Sequence, residues 1–196
     1  MSIKESFLEI LSEIPEPVVI VPASKTRSVD EILEVISAGA RDIGENYVQE
    51  AKRKKEEINE LKPNSSEIEQ LRWHLIGRLQ KSNINRALKV FDVIQSVDSL
   101  KLAKEINKRV PNSGKNKEEI FLQINIGKEE QKAGFMPERE KLRDVCTEIN
   151  SLENLQLNGL MCIEPYTQDD VEREKYFGEM KRLFDELNLL EGTNLE

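Results

Sequence analysis

Short apolar runs alternate with amphipathic segments along the whole chain. Each of six apolar runs is followed by a helical pattern: "PVVIVPAS", "ARDIGENY", "RWHLIGRL", "FDVIQSVD", "EIFLQINIG" and "LQLNGLMCI". The first run, from Val18 to Val21, is β-branched and does not alternate, so it predicts a strand buried on both faces of a parallel sheet. Parallel strands need crossover connections, so six strand–helix units predict an α/β fold, either an open doubly wound sheet or a closed barrel.

The residues around Lys25 predict that this lysine lies at the carboxyl end of the first strand. Ser28 and Glu31 have capping-box spacing, and apolar residues then recur at helical intervals until Gly39. Lys25 therefore falls between a strand and a helix, at the edge where parallel α/β folds usually hold ligands. The N-terminal segment "MSIKESFLEILSEI" has the pattern of an amphipathic helix.

Candidates for chemistry gather at the predicted carboxyl ends of the strands. They are Lys25, Asn46, His74, Gly77, Ser96, Asn125 and Met161. A lysine amine becomes nucleophilic at neutral pH when a partly apolar pocket lowers its pKa, and such an amine forms Schiff bases with aldehydes. Structural roles are open as well: Lys25 extending into solvent, Asn46 capping a helix, His74 hydrogen-bonded in the core. Met161 suits a pocket wall or the core better than acid–base chemistry.

Length and charge narrow the class of protein. The 196 residues fit one domain, 1–196, and the net charge of −8 disfavours a general nucleic-acid surface. The basic run Lys52–Lys55 is followed by two glutamates and predicts a solvated helix face. No apolar stretch is long enough to span a bilayer, and the N-terminus lacks the apolar core of a signal peptide, so we expect a cytoplasmic protein. The two cysteines, Cys146 and Cys162, suggest neither a disulfide framework nor a zinc site.

Five ordered motifs carry a resemblance to a known family. The segments "VVIVPASKTRSVDEILEVISAGARDIGENYVQE", "WHLIGRLQKSNINRA", "VIQSVDSLKLAKEIN", "LQINIGKEEQKAGF" and "LNGLMCI" closely resemble motifs of the pyridoxal 5′-phosphate (PLP) homeostasis proteins. The resemblance implies a parallel (β/α)8 TIM-type barrel similar to the N-terminal domain of alanine racemase, with about six strand–helix units in this chain. The barrel is thus preferred to the open sheet by analogy rather than by pattern.

The resemblance also implies a function. Family members look like non-catalytic carriers that bind PLP, limit its free concentration and act in vitamin B6 homeostasis. Lys25 in "ASKT" would form the Schiff base with PLP, and Asn46, His74, Ser96 and Met161 would line the pocket. The implied partners are PLP itself and transient PLP-accepting enzymes, with no nucleic acid and no membrane.

Three features depart from the family pattern. Pro22 lies within the first predicted strand, and Gln95 stands where many relatives have histidine. The family pattern continues with a serine–methionine–glycine motif and an arginine–isoleucine–glycine segment, whereas this sequence ends at "LLEGTNLE". We therefore expect a domain that is incomplete at its C-terminus relative to the family and lacks groups that would hold phosphate.

Two other functions stay open at this point. A PLP-dependent racemase or lyase needs a second acid–base group opposite the lysine, for which His74, Tyr47 and Tyr166 are available. A structural remnant or interaction module that binds no PLP is the other alternative, because the phosphate segment is missing from this sequence.

Overall fold

Five parallel strands form the framework of the protein. The computed structural model describes residues 2–189 and 195. The strand order is β1-β2-β3-β4-β5, and each neighbouring pair is parallel. The strands are β1 (Asp42–Glu45), β2 (Arg72–Leu75), β3 (Val93–Val97), β4 (Glu118–Ile124) and β5 (Leu155–Cys162).

The strand order distinguishes a barrel from a doubly wound sheet. Every strand lies beside the one that precedes it in sequence, whereas a doubly wound sheet reverses its order at a switch point. Sequential winding with crossover helices is the topology of a (β/α)8 barrel. The described strands therefore form an arc of a TIM-type barrel, which confirms the expected fold class.

Helices connect the strands and cover one face of the sheet. They are α1 (Ile3–Glu13), α2 (Val29–Ser37), α3 (Val48–Leu61), α4 (Ser66–Glu69), α5 (Ile84–Val90), α6 (Leu100–Asn107), α7 (Arg139–Asn150) and α8 (Asp170–Asn188). The predicted capping box begins α2: the Ser28 N–H donates to Glu31 Oε2 at 2.7 Å, and Ser28 Oγ accepts from the Glu31 N–H at 3.3 Å. The predicted N-terminal helix is confirmed as α1. Among residues 2–189, no helix combines the length and apolarity needed to cross a bilayer.

The first predicted strand is wrong. Only an isolated parallel bridge between Ala23 and Gly44 represents it, and Val18 and Val19 are 57% and 62% exposed rather than buried. The segment lies at the outer edge of β1, and Pro22 has no N–H to donate to a ladder. Pro22 takes part as an acceptor instead, because its carbonyl accepts from the Gly44 N–H at 2.9 Å. In the part of the chain that the structure describes, five strands and the Ala23–Gly44 bridge thus replace the six strands expected.

The main core lies between the sheet and the helices. Trp73, Ile94 and Ile120 are at most 1% exposed and belong to one apolar cluster with residues from the helices. Burial of each such side chain contributes about 1.5–3 kcal/mol. Successive side chains on a strand alternate between faces, so His74 and Gln95 lie on the opposite, inner face of the arc.

Candidate functional site

Lys25 lies where the first bridge ends, at the carboxyl edge of β1. The Ser24 N–H donates to the Gly44 carbonyl at 2.8 Å, which holds this segment alongside the strand. The Lys25 side chain is exposed. The lysine therefore has the strand-end position expected from the sequence, although the preceding residues form no strand.

A buried ionic cluster lies beneath Lys25, and the sequence did not predict it. Lys54 and Glu45 both have fully buried side chains, and their Nζ and Oε1 atoms are 2.5 Å apart. Lys54 Nζ is also 2.7 Å from Glu50 Oε1. The expectation that Lys52–Lys55 is a solvated face is therefore wrong for Lys54. The helical period turns Lys54 toward the sheet together with Ala51 and Ile58, while Lys52 and Arg53 are exposed.

Asn46, Gly77 and Ser96 meet at the ends of the first three strands. A Cβ on Gly77 would lie 2.3 Å from the Asn46 carbonyl oxygen, so only glycine allows the two backbones to approach this closely. Ser96 Oγ donates to the Gly77 carbonyl at 2.6 Å. The Asn46 N–H donates to Glu45 Oε2 at 2.8 Å, which joins this group to the cluster beneath Lys25.

The side-chain oxygen of Asn46 is an acceptor without a hydrogen-bond donor among the described residues. This Oδ1 atom is buried. A buried acceptor without a partner costs about 1–3 kcal/mol. A ligand with an O–H or N–H donor at this strand edge would remove that cost.

His74 lies within β2 on the inner face and has partners on both ring nitrogens. Its Nε2 is 2.7 Å from Asp42 Oδ1, and its Nδ1 is 3.0 Å from Gln95 Nε2. The Gln95 amide donates, so Nδ1 is the acceptor and Nε2 carries the proton toward Asp42. The sequence offered this core role as one alternative, but it gave no sign that Gln95 would be the partner.

The two remaining strand-end candidates occupy different positions. Met161 is half-buried on β5, in register with Gln123 of β4, so β4 separates it from Ser96 on β3. Asn125 organises the loop after β4: its Nδ2 donates to the Glu129 carbonyl at 2.8 Å, and its Oδ1 accepts from the Glu129 N–H at 3.1 Å. Contacts thus join Lys25's neighbours to Asn46 and Ser96, whereas Met161 lies further along the sheet.

Neither tyrosine considered for acid–base chemistry is enclosed. Tyr47 follows Asn46 and is 62% exposed, and Tyr166 lies after β5 and is 90% exposed. The thiol of Cys162, at the end of β5, is also unsuited to acid–base catalysis, because burial raises its pKa to about 11. An acid–base catalyst works best when its pKa lies near the operating pH.

Comparison with known families agrees with this geometry. The family model for the N-terminal domain of alanine racemase matches residues 5–194. The fold and this match together define a PLP-type barrel domain related to alanine racemase.

Curated relatives identify the family more narrowly. The pyridoxal phosphate homeostasis protein of Helicobacter pylori is 39% identical over 170 residues, which are 86% of this chain and 72% of that protein. The protein of the same name from Synechocystis is 31% identical over 189 residues, 96% of this chain and 82% of that protein. The chain belongs to the family of pyridoxal phosphate homeostasis proteins, which confirms the resemblance drawn from its five motifs.

Solved structures show the same fold. PipY of Synechococcus elongatus PCC7942 has been solved without PLP and with PLP bound, and it matches with TM-scores of 0.88 and 0.85. It is 31% identical, and the match covers 99% of this chain and 86% of PipY. Alanine racemase from E. faecalis matches with a TM-score of 0.73 at 12% identity, over 98% of this chain and 49% of the enzyme. At that identity the likeness shows the fold alone.

Proposed function

We propose that this chain binds PLP covalently through Lys25 and acts in intracellular PLP homeostasis without catalytic turnover. The observation that carries the proposal is the position of Lys25, exposed at the carboxyl edge of β1 in a fold whose relative PipY has been solved with PLP bound. Lys25 is also the lysine of the "ASKT" motif on which the family resemblance rests.

The residues at the strand edge fit this cofactor. When bound, PLP supplies an aldehyde that condenses with the Lys25 amine and releases one water. Asn46 Oδ1 is a buried acceptor that needs a donor, and PLP offers a phenolic hydroxyl and, when its ring nitrogen is protonated, an N–H. We propose that Asn46 accepts a hydrogen bond from the cofactor, and that Ser96, Met161 and His74 shape the rest of the site.

The surroundings of Lys25 favour a carrier over an enzyme. A racemase or lyase needs a second proton-transfer group facing the lysine. His74 already uses both ring nitrogens on Asp42 and Gln95, and Tyr47 and Tyr166 are largely in solvent. The bond between a lysine and an aldehyde is reversible, so we propose cytoplasmic PLP-accepting enzymes as transient partners.

A PLP titration of three proteins tests the proposal. The wild type and Lys62→Ala, which removes an exposed lysine at the end of α3, should bind PLP equally well. Lys25→Ala should lose the covalent complex and its visible absorbance. The same proteins are then incubated with a panel of L-amino acids, and we expect no racemisation.

Three results would contradict the proposal in different ways. Unchanged PLP capture by Lys25→Ala would remove the lysine assignment, and no capture by the wild type at saturating PLP would support an interaction module. First-order racemisation that depends on Lys25 would establish the enzyme instead.

A further inference from the structure

The Lys54 side chain is fully buried, and all three of its ammonium hydrogens have acceptors. Its Nζ lies 2.6 Å from the Ser24 carbonyl, 2.5 Å from Glu45 Oε1 and 2.7 Å from Glu50 Oε1. A buried ammonium is tolerated only when it is paired and hydrogen-bonded. Because burying an ammonium group costs free energy, we expect Lys54 to hold the segments that it contacts in place.

The acceptors of Lys54 lead to both neighbours of Lys25. Lys54 holds Ser24 directly through its carbonyl, and Ser24 Oγ donates to Glu45 Oε1 at 3.1 Å. On the other side, the Thr26 N–H donates to Glu50 Oε1 at 2.9 Å. The residues before and after Lys25 are thus tied to one buried cluster.

The backbone of Thr26 shows why such a restraint is needed. Thr26 has φ of 65°, a left-handed conformation that is uncommon for residues other than glycine and especially unfavourable for a β-branched side chain. Such conformations cost about 1–3 kcal/mol and persist where neighbouring contacts fix them. The hydrogen bond from the Thr26 N–H to Glu50 Oε1 is such a contact.

Charge supports the same arrangement. The hydrogen bond from Lys54 is the main cause that holds the pKa of Glu50 below its usual value. Glu50 therefore stays ionised and remains an acceptor for the Thr26 amide. Without Lys54, Glu45 and Glu50 would be two neighbouring carboxylates with no cation between them.

We propose that Lys54 is a positioning residue that, through Ser24, Glu45 and Glu50, fixes the backbone on both sides of Lys25 and so sets the direction of its amine. The hydrogen bonds around Lys25 do not depend on the proposed function, but their consequence for PLP binding rests on it. The expected consequence is that PLP reacts with Lys25 in preference to the many surface lysines.

Two readouts test the positioning in Lys54→Met. Amide hydrogen exchange at Thr26 should become at least about tenfold faster than in wild type. After PLP and borohydride, adducts should shift from Lys25 toward other lysines at an equal fraction of folded protein. The matched control is Lys55→Met, one residue along α3, because Lys55 bonds to the Val90 carbonyl and not to the Lys25 segment.

A second pair of variants keeps the test decisive if Lys54→Met does not fold. Glu50→Ala removes the acceptor of the Thr26 amide and leaves Lys54 bonded to Ser24 and Glu45. Glu50→Gln keeps an acceptor oxygen and should restore much of the protection of Thr26, which a general loss of stability would not predict.

The outcomes separate this inference from the proposed function. Wild-type exchange at Thr26 and wild-type selectivity for Lys25 in a folded Lys54→Met, or in Glu50→Ala if that variant alone folds, would overturn the positioning role. If wild type itself forms no adduct at Lys25, the proposed function fails, while exchange at Thr26 still decides whether the cluster fixes this segment.

Discussion

Glu118, at the start of β4, gives the sharpest prediction about stability. Its side chain is fully buried, and its Oε2 accepts from Lys115 Nζ at 2.6 Å. Its Oε1 is buried without a partner among the described residues. Burial raises the pKa of Glu118 from 4.5 to about 7, and the positive charge of Lys115 only partly opposes this.

The sign of the effect follows from the raised pKa. Between 4.5 and about 7 the folded protein binds more protons at Glu118 than the unfolded chain does, so the free energy of unfolding falls as the pH rises. Each pKa unit corresponds to about 1.4 kcal/mol, so the shift makes the folded state roughly 3 kcal/mol less stable above neutral pH than in acid. That is a large part of the roughly 5–15 kcal/mol of a typical domain.

Glu118→Gln should remove this pH dependence. Urea unfolding at about pH 4 and about pH 8 gives the difference in unfolding free energy between variant and wild type. We expect the unfolding free energy of the variant, relative to that of wild type, to be roughly 3 kcal/mol higher at about pH 8 than at about pH 4. Glu60→Gln, at an exposed position near the end of α3, is the control and should show no such change. A difference for Glu118→Gln that is the same at both pH values would refute the reasoning.

Two further predictions concern the backbone. Gly77→Ala places a Cβ 2.3 Å from the Asn46 carbonyl oxygen and should lower the free energy of unfolding by about 1–3 kcal/mol. The control Gly178→Ala, in open space on α8, should be neutral or raise it by up to about 1 kcal/mol. Equal melting temperatures for the two variants would contradict this. Ser28→Ala removes the N-cap of α2 and should cost about 1 kcal/mol, and calorimetry that shows no loss would mean that the cap does not contribute.

The sequence predicted secondary-structure elements correctly where interactions between residues close in sequence determine them. The capping box at Ser28 needs only residues three apart, and the structure has it. The strand predicted at Val18–Val21 is not formed. β-Branched composition reflects packing on a half-buried sheet surface rather than a backbone preference, and Val18 and Val19 are 57% and 62% exposed. That segment lies at the edge of β1 and makes one bridge, at Ala23.

The strand-end positions of the candidate residues could be predicted from the sequence, whereas their supporting contacts were not. The order of strands brings their carboxyl ends to one edge, so Lys25, Asn46 and Ser96 could be placed from the sequence. Lys54 was not predicted, because the run of four basic residues does not by itself show which of them meets buried carboxylates. The helical phase relative to Ala51 and Ile58 carries that signal.

The central claim is that PLP bonds to Lys25, and reductive trapping with peptide mapping tests it most directly. The purified chain is incubated with PLP, reduced with borohydride, weighed intact by mass spectrometry and then digested. We predict one adduct per chain on the peptide that contains Lys25. No adduct, or adducts spread over surface lysines, would contradict the account.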